Sequence, residues 1–161
     1  NIASNEGWGL STTESLLTET PIIVNTTGGL QDQCGFKKDD GSYLTVDDYT
    51  TEWGSNHDGR YKKCGEWAKP VFPSSISLVG SVPTPYIFDD RCRWDDTADK
   101  IKEWYDAGDD ERKRCGELGR EYAFSEQASM TAEMMCQGFI DKMDTAFSKW
   151  TPRNRYEIFK V

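Results

Sequence analysis

An α/β domain is what this sequence predicts, on three observations. A helical start at Ser11 is followed by the continuous apolar run Ile22 to Val24, set between Pro21 and the Thr26-Thr27-Gly28-Gly29 loop. Such an unbroken run suits a strand buried on both faces of a parallel sheet. A second apolar run, Pro85-Tyr86-Ile87-Phe88, leads through acidic residues into helical spacing that continues towards the far end of the chain. Helix and strand in this order belong to layered α/β architectures, where ligands collect at the carboxyl ends of strands.

The first element follows a glycine-bounded loop, Asn5-Glu6-Gly7-Trp8-Gly9-Leu10. Gly7 and Gly9 let the backbone approach a bound group closely, since neither carries a Cβ. Ser11-Thr12-Thr13-Glu14 has the S-x-x-E form of a capping box, with Ser11 as N-cap. Residues 12–19 are then predicted as a short helix with Leu16 and Leu17 turned inward, stopped by Pro21. From Cys34 to about Pro85 the periodicity fades, and Tyr43, Tyr49, Trp53, Tyr61, Trp67 and Phe72 stand among Gly, Pro, Ser and Asp. These aromatics are expected to pin a long loop to the domain surface, because aromatic rings mostly supply buried area. Stacking on a sugar is their alternative use, with Arg60, Lys62, Lys63 and Lys69 available to an anionic group. His57 reads as a turn residue with no catalytic role.

Pro85 to Phe88 is predicted as a short buried strand closed by Asp89-Asp90. Ala98, Ile101, Trp104 and Tyr105 then follow at helical spacing, and Gly108 is the expected stop. Turn and N-cap duties account for Asp89, Asp90, Asp95 and Asp96 more simply than a metal site. A charged surface helix over 110–122 comes next. A long helix over 125–150 follows, with Ala128, Ala132, Met135, Cys136, Phe139, Ile140, Met143, Phe147 and Trp150 on one face expected in a core. Thr151-Pro152 ends it.

The chain has 161 residues, enough for one domain with a real core. A net charge of −9 argues against a nucleic-acid surface, which needs clustered Lys and Arg. No run approaches the ~18 apolar residues of a membrane span, and no signal peptide is evident. Cys34, Cys64, Cys92, Cys115 and Cys136 are odd in number and widely spaced, which fits free thiols in a reducing, cytoplasmic compartment. With His57 the only histidine, no zinc site is expected.

Function hangs on the first loop. A helix opening there aims its unpaired N–H groups and positive dipole end into the loop, which makes a phosphate the natural guest. Glu6 ahead of the helix and Glu14 in its first turn can both accept hydroxyls of one ligand. A sugar diphosphate meets both requirements.

Glu6, Gly7, Trp8, Gly9, Leu10, Ser11 and Glu14 resemble the donor-binding signature of the retaining glycosyltransferases of the GT-B fold, two glutamates separated by seven residues around a Gly-aromatic-Gly loop. Thr20-Pro21-Ile22-Ile23-Val24-Asn25-Thr26-Thr27-Gly28-Gly29-Leu30 is similar to that family's next segment, a Pro-led strand and a Gly-Gly loop. The resemblance covers 1–33 well and 85–150 loosely. It implies a Rossmann-like C-terminal half-domain over 1–161, a partial nucleotide-sugar-binding domain in which 36–85 is a loop insertion. It also implies that 147–161, with Phe147, Trp150, Tyr156, Ile158 and Phe159, crosses to an N-terminal acceptor domain missing from this chain. Sugar transfer from a nucleoside diphosphate sugar to a carbohydrate acceptor, with retention and without a metal or other cofactor, is the activity implied. Glu6 would contact the donor hexose as the catalytic carboxylate, Gly9, Leu10 and Ser11 would offer N–H groups to the sugar and diphosphate, and Glu14 would hold the ribose. Basic residues that neutralise the diphosphate would precede Asn1, so this chain alone should bind weakly and turn over nothing. The glycogen- and starch-synthase branch, suggested by Thr27 to Asp32, is an enzyme alternative. A non-catalytic nucleotide- or carbohydrate-binding module and an interaction domain are the others.

Overall fold

In a computed structural model that describes residues 1–49, 56 and 58–152, the first helix, α1, spans Leu10–Leu17. Its N-cap is Gly9 in the left-handed region (φ 84°), with no side-chain cap. Ser11 is therefore inside the first turn, where its carbonyl accepts the Ser15 hydroxyl at 2.9 Å, and the predicted capping box is not formed. Glycine takes that backbone angle without a Cβ clash, so the helix can begin at the very next residue. The N–H groups of Thr12 and Thr13 both close on the Gly9 carbonyl, at 2.9 and 3.3 Å. Leu16 is fully buried, and the chain leaves the helix through Glu19 (φ 61°).

Strand β1, Ile22–Asn25, pairs in parallel with β2, Ala68–Val71, with Ile22 opposite Ala68 and Asn25 opposite Val71. The buried parallel strand predicted at Ile22 to Val24 is thus present, and the fold is mixed α/β. The segment 36–85, expected as an inserted loop, contains β2 and contributes to a second sheet, so part of it belongs to the framework. Ala68-Lys69-Pro70-Val71 is too short and mixed to show a period, and its pairing with β1 decides its conformation. Between the strands lie short 3₁₀ turns at Gly28–Leu30, Asp32–Cys34 and Val46–Asp48.

The described aromatics of this region do pin it down. Trp67 is buried, stacks on Tyr122 at 4.5 Å and donates its indole N–H to the Gln33 carbonyl at 2.9 Å. Phe36 and Phe72 lie 6.1 Å apart, and Tyr43 meets Tyr122 at 5.5 Å. Lys63 pairs with Asp39, Arg60 with Asp58 and Lys69 with Glu103, each at 3.1 Å. Trp53 and His57 lie outside the described residues.

Helix α2 runs Trp94–Ala123 and is broken at Gly108 (φ 81°, ψ 172°), so the predicted stop is a kink between two helical arms. Asp95 and Asp96 fall in its first turn, where negative charge complements the helix dipole. Trp104, on the first arm, is buried and donates to the Ile22 carbonyl at 3.4 Å. The second arm, expected to be a surface helix, is a core element through Cys115, Gly116, Gly119, Tyr122 and Ala123. A Cβ at Gly116 would collide with the Glu19 carbonyl oxygen, so here glycine rather than a large side chain makes the packing close. An apolar-stripe count does not see that.

Strands β3, Ser75–Ser81, and β4, Thr84–Arg91, form an antiparallel hairpin. The run Pro85 to Phe88 is a strand as predicted but is exposed rather than buried, and Asp89 and Asp90 lie within it rather than closing it.

These elements belong to the first of two compact units, Asn1–Ser129; the second is Met130–Val161. Helix α3 there spans Ala132–Lys149, capped by Thr131, whose hydroxyl accepts the Met134 N–H at 3.3 Å. Its start is later than the predicted residue 125, beyond Ser129 in the left-handed region (φ 51°). No residue of α3 is buried, and Met135, Phe139, Ile140, Met143 and Phe147 are all exposed, contrary to the expected core face. Periodicity reports an amphipathic face, not what covers it. Tyr156, Ile158 and Phe159 lie outside the described residues. No described helix is long and apolar enough to cross a membrane.

Candidate functional site

The two motifs at the front of the sequence meet. Beyond β1 the chain turns through Thr26 to Gly29, and this turn lies against the Glu6-to-Gly9 loop with no side chain between the backbones. The Gly29 N–H donates to the Glu6 carbonyl at 3.3 Å. A Cβ at Gly28 (φ 47°) would collide with that same carbonyl, and one at Gly29 would stand 2.5 Å from the Gly7 carbonyl oxygen and 2.8 Å from Trp8 Cα. Both glycines are required by the close approach itself.

Buried polar side chains fix the two loops from below. Gln33, fully buried, donates to the Trp8 carbonyl at 2.5 Å and the Gly9 carbonyl at 3.3 Å. Asn25 closes β1 and donates to the Ala3 carbonyl at 3.0 Å and the Asp90 carbonyl at 2.8 Å. Thr27 donates its hydroxyl to the Asp90 carboxylate at 2.8 Å, and the Asp90 N–H reaches the Ser4 carbonyl, also at 2.8 Å. Asp90 thereby ties the base of the hairpin to both loops. Asn25, Gln33 and Asp90 were not among the sequence candidates. The signal for the first was a polar residue directly ending an apolar strand; the pairing of Asp90 across 65 residues left no local trace.

Four buried polar atoms find no partner among the described residues: the hydroxyls of Thr12 and Thr13, Asn25 Oδ1 and Gln33 Oε1. All belong to the first turn of α1 or to the residues that hold the loops. Leaving such a group unpaired costs about 1–3 kcal/mol, so the neighbourhood is polar well beyond what its own packing uses.

Glu6 is half-buried in the loop, while Glu14 is exposed on α1. Trp8 packs over Gly29 with part of its ring open to solvent. Gly9 is buried as the helix cap; Gly7, Leu10 and Ser11 are exposed. A cleft of about 400 Å³ runs beside α1, lined by Asn1, Ser11, Thr12, Ser15, Pro21, Ile22 and Ile23. Ser11 is the one candidate residue on its wall; Glu6 and Glu14 are not on it.

All five cysteines are free. Burial pushes the thiols of Cys34, Cys64 and Cys115 above the ordinary cysteine value, which keeps them protonated and poor nucleophiles. Among the described residues no group of three or more potential ligands could hold a metal ion. Burial likewise raises the Tyr122 hydroxyl above its usual range, and it donates to the Asp32 carbonyl at 2.9 Å. No protein-family model matches this chain, nor does any curated protein or solved structure.

Proposed function

We propose that this chain carries the donor site of a retaining glycosyltransferase of the GT-B type, binding a nucleoside diphosphate sugar at the start of α1. One observation carries the reading. The Glu6-to-Gly9 loop and the Gly28-Gly29 turn, each singled out by its own motif, touch backbone to backbone where β1 ends and α1 begins. That is the carboxyl end of a parallel strand, the edge at which α/β folds bind ligands.

The roles follow from the chemistry of the groups. The first N–H groups of α1 precede any intrahelical acceptor and supply donors for a diphosphate, reinforced by the dipole. They also stabilise negative charge that grows on the leaving diphosphate, without moving to do so. Glu14, one turn into α1, accepts the two ribose hydroxyls, and Glu6 in the loop accepts hydroxyls of the donor hexose beside the reacting carbon. Trp8 supplies an apolar wall. Neither metal nor cofactor enters this scheme; the acceptor is a carbohydrate, held by groups outside these residues.

Titration of the chain with UDP, GDP and ADP at millimolar concentration, followed by amide chemical shifts, tests the reading. One nucleotide should move the resonances of Gly9, Leu10 and Ser11. Glu14→Ala should weaken that binding by about 1.5–3 kcal/mol, the worth of charge-assisted hydrogen bonds, and leave the fold intact. Glu6→Ala should leave nucleotide affinity nearly unchanged, because its partner is the sugar. Shifts that ignore all three nucleotides would sink the donor-site reading.

A further inference from the structure

Residues along a strand turn their backbone groups to its two edges alternately. On β1 the Ile22 N–H donates to the Trp67 carbonyl at 2.8 Å and the Thr26 N–H to the Val71 carbonyl at 3.0 Å, so these residues bond towards β2. Ile23 and Asn25 therefore present their backbone to the opposite edge. Asn1 is seated there: its amine donates to the Ile23 carbonyl at 2.7 Å, and its own carbonyl accepts the Asn25 N–H at 3.0 Å. One residue bonded in this way to both neighbours of Val24 is a step of a parallel ladder. Beyond it the chain turns away, because Asn1 Oδ1 accepts the Ala3 N–H at 3.1 Å and the Asn25 amide holds the Ala3 carbonyl at 3.0 Å.

We propose that this edge of β1 takes a third strand, parallel to it and formed by an extended segment that runs into Asn1, so that β1 is the middle strand of its sheet. The next groups along the edge are the Ile23 N–H and the Pro21 carbonyl. In a parallel ladder the residue two places ahead of Asn1 meets both, donating to the carbonyl and accepting the N–H. Space for it is present. A cleft of about 400 Å³ lies along Asn1, Pro21, Ile22 and Ile23, walled by Ser11, Thr12 and Ser15 of α1. The Thr12 hydroxyl, buried without a partner among the described residues, stands on that wall. The sequence of β1 agrees, since Ile22-Ile23-Val24 is apolar without a break, as in a strand inside a parallel sheet, whereas exposed edges are usually blunted by charge or irregularity. Burial lowers the pKa of the Asn1 amine, which marks a place better suited to an uncharged peptide N–H. Covalent continuity selects the occupant: backbone joined to Asn1 starts in register, whereas a strand from another chain would have to find it. The donor-site reading is not a premise here.

Amide hydrogen exchange tests this on the chain itself and on the same chain carrying a Lys-Thr-Val-Thr-Val-Thr extension ahead of Asn1. That order puts valine on the buried face of Ile22 and Val24 and lysine at the solvent end. The Ile23 N–H should exchange roughly tenfold more slowly, or slower still, in the extended chain, and the extension should show strand chemical shifts with cross-peaks to Ile22 and Ile23. The same peptide added free at millimolar concentration should leave Ile23 exchanging as before. An extension that stays unstructured, with Ile23 exchange unchanged, would overturn the proposal. Equal protection by the free peptide would overturn the choice of occupant.

Discussion

Gly28→Ala is expected to destabilise the protein by about 2–4 kcal/mol, combining a backbone angle that alanine resists with a direct collision. Position 28 has φ 47°, and the new methyl would run into the Glu6 carbonyl oxygen, which is backbone and cannot swing aside. Relief requires the Glu6-to-Gly9 loop to retreat from the Thr26-to-Gly29 turn, so nucleotide binding should fall with stability. In a domain of this size the loss corresponds to a melting temperature lower by roughly 5–15 °C. Gly7→Ala is the control, since nothing lies within 4 Å of a Cβ there. Differential scanning calorimetry of both variants checks the contrast, and equal melting temperatures would mean that the two loops are not in contact.

Trp67→Ala should cost about 3–5 kcal/mol, in the range for truncating a buried aromatic. The ring stacks on Tyr122, touches the site of Gly119 and holds the Gln33 carbonyl through its indole N–H. Gln33 in turn grips the Trp8 and Gly9 carbonyls, so the effect reaches the candidate site through one residue. Trp67→Phe separates the parts: it keeps most of the ring, loses the donor, and should cost about 1–3 kcal/mol for the carbonyl left unpaired. Urea titrations followed by circular dichroism give both values, and a Phe variant as stable as the parent would show that solvent replaces the indole.

Where chemistry is local, the sequence could be read. Pro21 and the Gly-Gly pair bracket β1, and Gly108 marks the break in α2, because both residue types act through their own backbone angles. The meeting of the two motifs was not read in advance: Gly7 and Gly9 were assigned to a bound group, whereas the close approach needs glycine on one side only, at Gly28 and Gly29. What depended on distant partners was not legible. Ser11-x-x-Glu14 looked like a capping box, but Gly9 had already started the helix. β2 owes its existence to β1, more than forty residues earlier. β3 alternates serine with apolar residues too weakly to stand out beside Pro73 and Gly80. The runs at Pro85 to Phe88 and along α3 showed which side chains are apolar but not whether anything covers them.

The long reach of α2 also sets an order of events. Its bonds to the Ile22, Leu17 and Asp32 carbonyls come from Trp104, Arg120 and Tyr122, across 82, 103 and 90 residues. Contacts so remote along the chain slow folding, because loops must close before they are rewarded. At a synthesis rate of ~5–20 residues per second, β1 and the glutamate loop spend on the order of 5–20 s outside the ribosome before the helix that covers them is complete. Until residues 68–71 are made the apolar run Ile22 to Val24 has no sheet partner, and until α2 follows it has no roof. Apolar surface left waiting in this way is what a chaperone binds.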